Sequence, residues 1–449
     1  MDLTEGSVIK TLLAFAFPIM LSNILQSAYN IVDMAIVGQY VGKVGLSAVS
    51  IGTDVIHLVH LGSNGLFNGA QVLIAQHTGA KNDKAVSRCI GTLFTTFAII
   101  SLALTILMPL FHRPILRFMN TDSTVWDEAA AYVIICCFGQ VFHFGYGLIG
   151  ALLRGKGDSK HPLVFVAIAD IVNVFLDLLF VAVFQWGAAG AALATIIGQA
   201  LAFFWGMHFL IKNKEWFGFD FKLVSFRPDW IYQKQFLKLG LPMSLQSVLV
   251  SFATIYVNSF VNSYGVAVSA ISGVGTKLGS LAQIITNSLV RGGAAMVGQN
   301  IAAGKIERVK KIFIYNFAIA FTYAVVLSAI TALFPKVIVG LFTSDQDVLK
   351  LIPAYLPIIV LKYFAFASRS PAVALINGIG KPKFNLAIGL VDGIVARVGL
   401  SLFMGKLLNM GLYGFWYGGA LGGFVPFIAG LVYFLSGKWK TEKILIKED

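Results

Sequence analysis

Twelve continuous apolar runs follow one another along the 449-residue chain, and only short polar stretches separate them. A helix needs about 20 apolar residues to cross the hydrocarbon core of a bilayer, so a chain that repeats such runs folds in a membrane. In the first half they cover 11–37, 46–76, 86–111, 127–153, 161–184 and 187–211. In the second half they cover 236–262, 269–301, 310–334, 351–376, 384–404 and 411–436. With 57% hydrophobic and 12% charged residues, the chain has too little polar surface to wrap a water-soluble globule. Strands of a membrane barrel alternate in polarity over about ten residues, whereas these runs are long and unbroken, so the expected fold is all-α. Asp2 and Glu5 precede the first run and no small-residue cleavage site follows a short apolar core, so it reads as a retained span and not a signal peptide.

The chain is also a duplication. Ala151, Leu152, Gly155, Gly157 and Lys160 recur 223 residues later as Ala374, Leu375, Gly378, Gly380 and Lys383, and Gln76 recurs as Gln299. Pro18 recurs as Pro242, one residue out of step. Six crossings return a chain to its starting side, so both copies sit the same way up. The expectation is two six-helix lobes related by a pseudo-twofold axis along the membrane normal. The expected domains are a first lobe over 1–211, a connector over 212–235, a second lobe over 236–437 and a tail over 438–449.

Basic loops stay in the cytoplasm. With the N-terminus inside, the inner loops and tails carry 23 Lys and Arg against six on the other side. Both termini are therefore expected in the cytoplasm of a multi-pass cell-membrane protein. The net charge of +13 follows from this bias, so it points to anionic lipid headgroups and not to nucleic acid. Cys89, Cys136 and Cys137 lack metal-type spacing or a disulfide framework and read as packing residues. The stretch 212–235 mixes aromatic and charged residues and reads as a connector at the cytoplasmic interface.

An ionisable side chain inside a span costs roughly 2.5 to 3.5 kcal/mol, so each needs a partner, a cavity or a function. The spans hold the acids Asp33, Asp54, Asp170, Asp177 and Asp392, and the bases Lys277, Arg291, Lys362, Arg369 and Arg397. Four of the acids fall in the first half and all the bases in the second. Asn23, Gln26, Asn30 and Asp33 recur at helical steps and make one polar stripe, expected to face the interior. Asp170, Asn173 and Asp177 do the same in the fifth span. Carboxyls withdrawn from water favour the neutral form, so Asp33 and Asp177 are suited to exchange a proton. The same oxygens, with the Asn173 amide and a hydroxyl, also suit a hard cation such as sodium. A purely structural reading, in which the acids lock helices together by hydrogen bonds, stands beside these. Asp54, His57 and His60 lie three apart, a spacing that drifts around a helix and argues weakly for a metal. His143 reads as an interior histidine with its hydrogen bonds met.

Lys362 and Arg369 are seven residues apart, and Lys277 and Arg291 fourteen, so each pair shares a helical face. Asp392 can neutralise one base, which leaves at least three without a partner in that half. A cavity with such a wall suits an anionic or zwitterionic solute. Pro18 and Pro242 lie inside spans, where a missing amide proton permits bending. The segment 153–162, LRGKGDSKHP, is a turn, and with no Walker motif the energy for any transport has to come from an ion gradient.

These residues resemble the multidrug and toxic compound extrusion (MATE) family over nearly the whole chain. The likeness is carried by LLAFAFPIMLSNILQSAYNIVDMAIVG at 12–38, LRGKGDSKHP, NVFLD at 173–177 and GAAGAALAT at 187–195. The resemblance implies two lobes around a V-shaped cleft, alternating access, and export of drugs or metabolites against entering protons or sodium. It also implies that Asp33, Asn173, Asp177 and Thr195 match the family's N-lobe cation site, and that Pro18 matches its bending proline. One branch of the family has acids in spans seven and ten; this chain has none there and carries Lys362 and Arg369 in the tenth.

The function expected is a proton- or sodium-coupled antiporter, with a lipid or lipid-linked precursor flippase as the alternative. No enzymatic motif and no cofactor beyond the coupling ion are expected. Tyr29, Tyr146, Arg291, Lys362, Arg369 and Arg397 are the candidate substrate contacts. The expected partners are a small-molecule substrate and membrane lipids, with no nucleic acid, and the expected state is a monomer.

Overall fold

The computed structural model describes residues 1–119 and 121–441. Among them all regular structure is helical. The first six spans are Val8–Tyr40, Gly42–Gly79, Asp83–Phe118, the bent pair Trp126–Phe138 and Gln140–Gly155, Lys160–Val183 and Gly187–Lys212. The last six are Trp230–Asn262, Val266–Ala302, Ile306–Leu333, Ile352–Ile379, Lys383–Leu407 and Leu412–Leu435.

Ten of these pass as crossings by length and composition, and the bent pair makes an eleventh. The eighth, Val266–Ala302, is helical over 37 residues, but its Lys277, Arg291 and many small polar residues dilute its hydropathy. It therefore does not pass as a crossing by composition, although the sequence reads as an apolar run over 269–301. The fourth span bends by 47° at Gly139. A Cβ there would come within 2.6 Å of Ile196 Cγ1, so the sixth span approaches the bend too closely for any larger residue.

The described residues form two compact units. One comprises Phe17–Gly240, and the other comprises Asp2–Ala16 with the chain from Leu241 onward. The boundaries fall just before Pro18 and Pro242, and in both cases the helix runs on through the proline. Ser22 Oγ donates to the Pro18 carbonyl at 3.0 Å. Of the 438–449 tail, Lys438–Lys440 makes one turn with Trp439 buried, and residues 442–449 lie outside the described residues.

In the second unit the segment before the first span is held by three side chains. Asn300 donates to the Leu3 carbonyl at 3.0 Å, and Lys305 Nζ to the Thr4 carbonyl at 2.9 Å. Arg308 donates to the carbonyls of Gly6 and Glu5 at 2.6 and 2.8 Å, and its Nε to Asn300 Oδ1 at 2.9 Å. These carbonyls precede the helix, so the basic side chains supply the donors that no helical turn provides. A hydrogen bond from a charged group contributes about 1.5–3 kcal/mol. Arg308→Ala is therefore expected to speed amide exchange over residues 3–12 by about tenfold or more, read by hydrogen–deuterium exchange. Unchanged protection would mean that the buried Leu3, Val8 and Leu12 hold the segment alone.

Two spans leave α-helical geometry. The fifth passes after Asp177 into a π-helical segment, Leu178–Val183. The eleventh does so over Val391–Leu400 and again over Phe403–Leu407. Such segments often mark functional positions.

Candidate functional site

In the first unit the structure gathers one end of the polar stripe against the fifth span. Asp33 is 7% exposed, Asn173 3% and Asp177 0%. The Asp33 and Asp177 carboxyls are close enough to share a hydrogen bond when one of them carries a proton. Asp33 Oδ1, both Asp177 oxygens and both polar atoms of the Asn173 amide have no hydrogen-bond partner. Buried polar atoms are rarely left so. Buried carboxyl and amide oxygens of this kind are able to hold a proton or a hard cation such as sodium.

The neighbouring hydroxyls are ordered in direction. Thr195 Oγ1 donates to the Ala191 carbonyl at 3.0 Å and lies 3.2 Å from Tyr29 Oη. With the threonine proton spent on the carbonyl, Tyr29 is the donor and Thr195 the acceptor. Tyr29 stands one turn before Asp33 on the same face, so it belongs with the carboxyl pair. Tyr146 lies elsewhere, edge-on to His143 at 5.5 Å.

Small residues bring the spans together here. A Cβ on Gly198 would fall 3.0 Å from the Ala169 carbonyl oxygen and 3.2 Å from Asn173 Cβ. One on Gly190 would fall 3.2 Å from Phe180. At the start of the sixth span, Gly187 has φ +59°, and Glu128 of the fourth span accepts from the Ala188 amide at 2.8 Å. The small residues of the sixth span thus let it pack closely against Ala169, Asn173 and Phe180 of the fifth.

The stripe itself differs from expectation. Gln26 and Asn30 are exposed and Asn23 is half-buried, so only Asp33 is covered, where the fifth and sixth spans close over the helix. Tyr132 of the fourth span was not legible as a site residue. Its hydroxyl lies 3.3 Å from Thr53 Oγ1, and Asp33 is within electrostatic reach of it. Its ring occupies the space of the missing Gly52 side chain, whose Cβ would lie 2.3 Å from Tyr132 Cδ1. Asp54 and His57 are exposed, while the His60 and His143 rings stack at 3.8 Å. Ser63 Oγ lies 3.3 Å from His143 Nε2, but His143 Nδ1 has no partner, so this histidine is only half satisfied. Among the described residues no group of three or more His, Cys, Asp or Glu could hold a metal.

In the second unit Asp392 takes one base, as its single charge allows. Arg397 Nε donates to Asp392 Oδ1 at 2.9 Å, with Asp392 fully buried. Arg369 lies within electrostatic reach of both. Lys362 Nζ donates to Tyr355 Oη at 3.1 Å and sits 5.5 Å from its ring centre. Arg291 is half-buried and Lys277 is exposed. Arg397 is thus the one base that Asp392 neutralises, and the partner of Lys362 is a neutral hydroxyl. Gly422 gives Arg397 its room, since a Cβ there would lie 2.9 Å from Arg397 Cγ.

A sequence model of the MatE family matches residues 18–179 and 242–402, so the two matches start at Pro18 and Pro242 and together take in most of the chain. The chain belongs to the MatE family. It is 30% identical to the probable multidrug resistance protein YpnP of Bacillus subtilis, over 100% of this chain and 99% of that one. Identity to the probable multidrug resistance protein NorM of Thermotoga maritima is 26%, over 98% and 95%. The fold matches an outward-facing multidrug resistance MATE transporter of the MOP superfamily with a TM-score of 0.89 at 22% identity, over 98% of both chains. It also matches a MOP superfamily transporter from Pyrococcus furiosus with a TM-score of 0.88 at 22% identity, over 98% of both chains. That transporter is described as having a binding pocket of reverse polarity that suggests a different function. MatE proteins are transporters, so this chain is a multi-pass membrane protein of a multidrug-efflux family with twelve spans.

Proposed function

We propose that the protein is an antiporter that exports a small solute by alternating access, driven by a proton or sodium ion entering at Asp33 and Asp177. The observation that supports this most is the buried carboxyl pair with its unpartnered oxygens. A cation held there favours one conformation and the solute favours the other, and the coupling is reciprocal. Asn173 and Thr195 complete the oxygen set for sodium; for a proton, Asp33 and Asp177 suffice. Pro18 and Pro242, beside the two unit boundaries, are the positions where the spans absorb the motion. Both termini are cytoplasmic, the protein works as a monomer, and lipids surround it.

The basic cluster of the second unit supports an anionic or zwitterionic solute. Arg369, Asp392 and Arg397 together keep one positive charge in excess, and Lys362 and Arg291 add to it. The pocket of reverse polarity described for the Pyrococcus furiosus transporter is in keeping with this reading. The same chemistry suits the phosphate of a lipid-linked precursor, so a flippase is the second reading. Lipid-linked substrate moving in both directions without a gradient would favour it.

The experiment is counter-transport in proteoliposomes, with imposed proton or sodium gradients and a panel of anionic and cationic solutes. Solute efflux that follows one gradient supports the antiporter, and efflux at one rate under every gradient overturns it. Neutralising Lys362 and Arg369 together (K362Q, R369Q) is expected to weaken anionic transport by about tenfold, since a charged hydrogen bond contributes about 1.5–3 kcal/mol. Cationic transport is expected to change little. An equal loss for both classes would assign these residues to structure.

A further inference from the structure

The connector between the sixth and seventh spans is folded, and it presents a surface that neither the transport reading nor the core explains. Phe217 and Phe219 are buried, and Phe219 packs against Phe221 at 4.9 Å and Phe226 at 5.2 Å. Thr95 of the third span donates to the Phe226 carbonyl at 2.9 Å, and Thr92 accepts from the Asp229 amide at 3.0 Å. A Cβ on Gly91 would lie 2.6 Å from the Ser225 carbonyl, so the third span is cut away to receive the connector.

On this base the chain turns outward. Phe221 has φ +55°, a conformation a bulky residue adopts only when its surroundings enforce it. The next turn, Leu223–Ser225, projects Leu223 at 90% exposure and Val224 at 67%, and Trp230 follows at 70%. Beside them opens a cavity of about 680 Å³ lined by Arg88, Asp220, Val224, Arg227, Asp229 and Trp230.

Charge decides what fits. Asp220 accepts from the Lys222 amide at 3.1 Å and Asp229 from the Ile231 amide at 3.0 Å, so both carboxylates are engaged in shaping the turns. Arg88 lies 3.7 Å from Asp229 and is 67% exposed, and Arg227 is exposed with no ion pair among the described residues. Lys212, Lys214, Lys222, Lys234 and Lys238 flank these residues along the chain. The connector leaves one span at Lys212 and enters the next at Trp230, so it lies at headgroup depth. Apolar side chains flanked by cations at that depth match a phospholipid and not water.

We propose that this cavity binds an anionic phospholipid, with its phosphate between Arg88 and Arg227 and its acyl chains along Leu223, Val224 and Trp230. Arginine suits the phosphate because its donors are planar and paired. The site lies within the first unit and does not depend on the transport reading.

The test uses the full chain in phosphatidylcholine nanodiscs. Phosphatidylglycerol is titrated in, and lipid retention is read by native mass spectrometry alongside the thermal midpoint. Wild type is expected to retain phosphatidylglycerol over phosphatidylcholine. A basic residue near an anionic surface contributes about fivefold, so R88Q/R227Q is expected to weaken retention about thirtyfold, and R88K/R227K to recover part of it. L223S/V224S is expected to weaken retention too, with both arginines in place. Inorganic phosphate at matched concentration is expected neither to displace the lipid nor to raise the midpoint. Equal retention of both lipids, unchanged retention in both double variants, or full displacement by inorganic phosphate would each overturn the proposal, the last by revealing a free-anion site.

Discussion

Asp33→Asn and Asp177→Asn each bring gradient-driven efflux in proteoliposomes down to the level of protein-free vesicles, and the double variant is no worse than either alone. The two carboxyls share one positive charge, so removing either ends the exchange and the losses do not add. Stability separates this from a structural role. An asparagine amide can donate to the remaining carboxylate, as a shared proton does. The thermal midpoint of Asp33→Asn in detergent is therefore expected to equal or exceed that of wild type. A helix-locking role predicts the reverse pattern, a lowered midpoint with transport retained in the protein that stays folded. Wild-type efflux from Asp33→Asn would remove the pair from the mechanism.

Much of this arrangement was legible because it rests on composition and period. Long apolar runs give spans in a chain too apolar for water, and a 223-residue repeat makes two copies of six. The eighth span was read as an apolar run with the others, although Lys277 and Arg291 weaken its hydropathy. Asp33 and Asp177 stood out because a carboxyl in a span is costly. What was not legible depends on contacts between spans. Tyr132 sits in an apolar run like any core aromatic, and only the space over Gly52 brings it near Asp33. The exposure of Gln26 and Asn30 likewise depends on how far the neighbouring spans reach along the first, which a periodic stripe does not encode.

The partner of Asp392 was hidden for a geometric reason. Asp392 and Arg397 are five residues apart, and on an α-helix with 3.6 residues per turn that spacing turns the side chains well away from each other. The eleventh span is π-helical over Val391–Leu400. Its i→i+5 bonding pattern stacks residues five apart, and Arg397 Nε reaches Asp392 at 2.9 Å. A sequence reading that assumes an α-helix finds an acid and several bases without a match between them.

This pairing carries the second large effect. Asp392→Asn leaves Arg397 and Arg369 within electrostatic reach of each other and without the carboxylate of the cluster, and leaving buried charge uncompensated costs about 3–5 kcal/mol. Asp392→Asn is therefore expected to lower the thermal midpoint in detergent more than any other single variant named here. Arg397→Met is expected to cost less, because Arg369 remains within electrostatic reach of Asp392. Asp392→Asn with Arg397→Met removes one charge of each sign, leaves Arg369 without a cationic neighbour in the cluster, and should regain most of the lost stability. The asymmetry between the two single variants is the informative quantity. If both destabilise equally, Arg369 does not share the carboxylate and the cluster is a simple pair. If Asp392→Asn matches wild type, the excess positive charge is already met by water or solute, and the second unit is open to an anion at this depth.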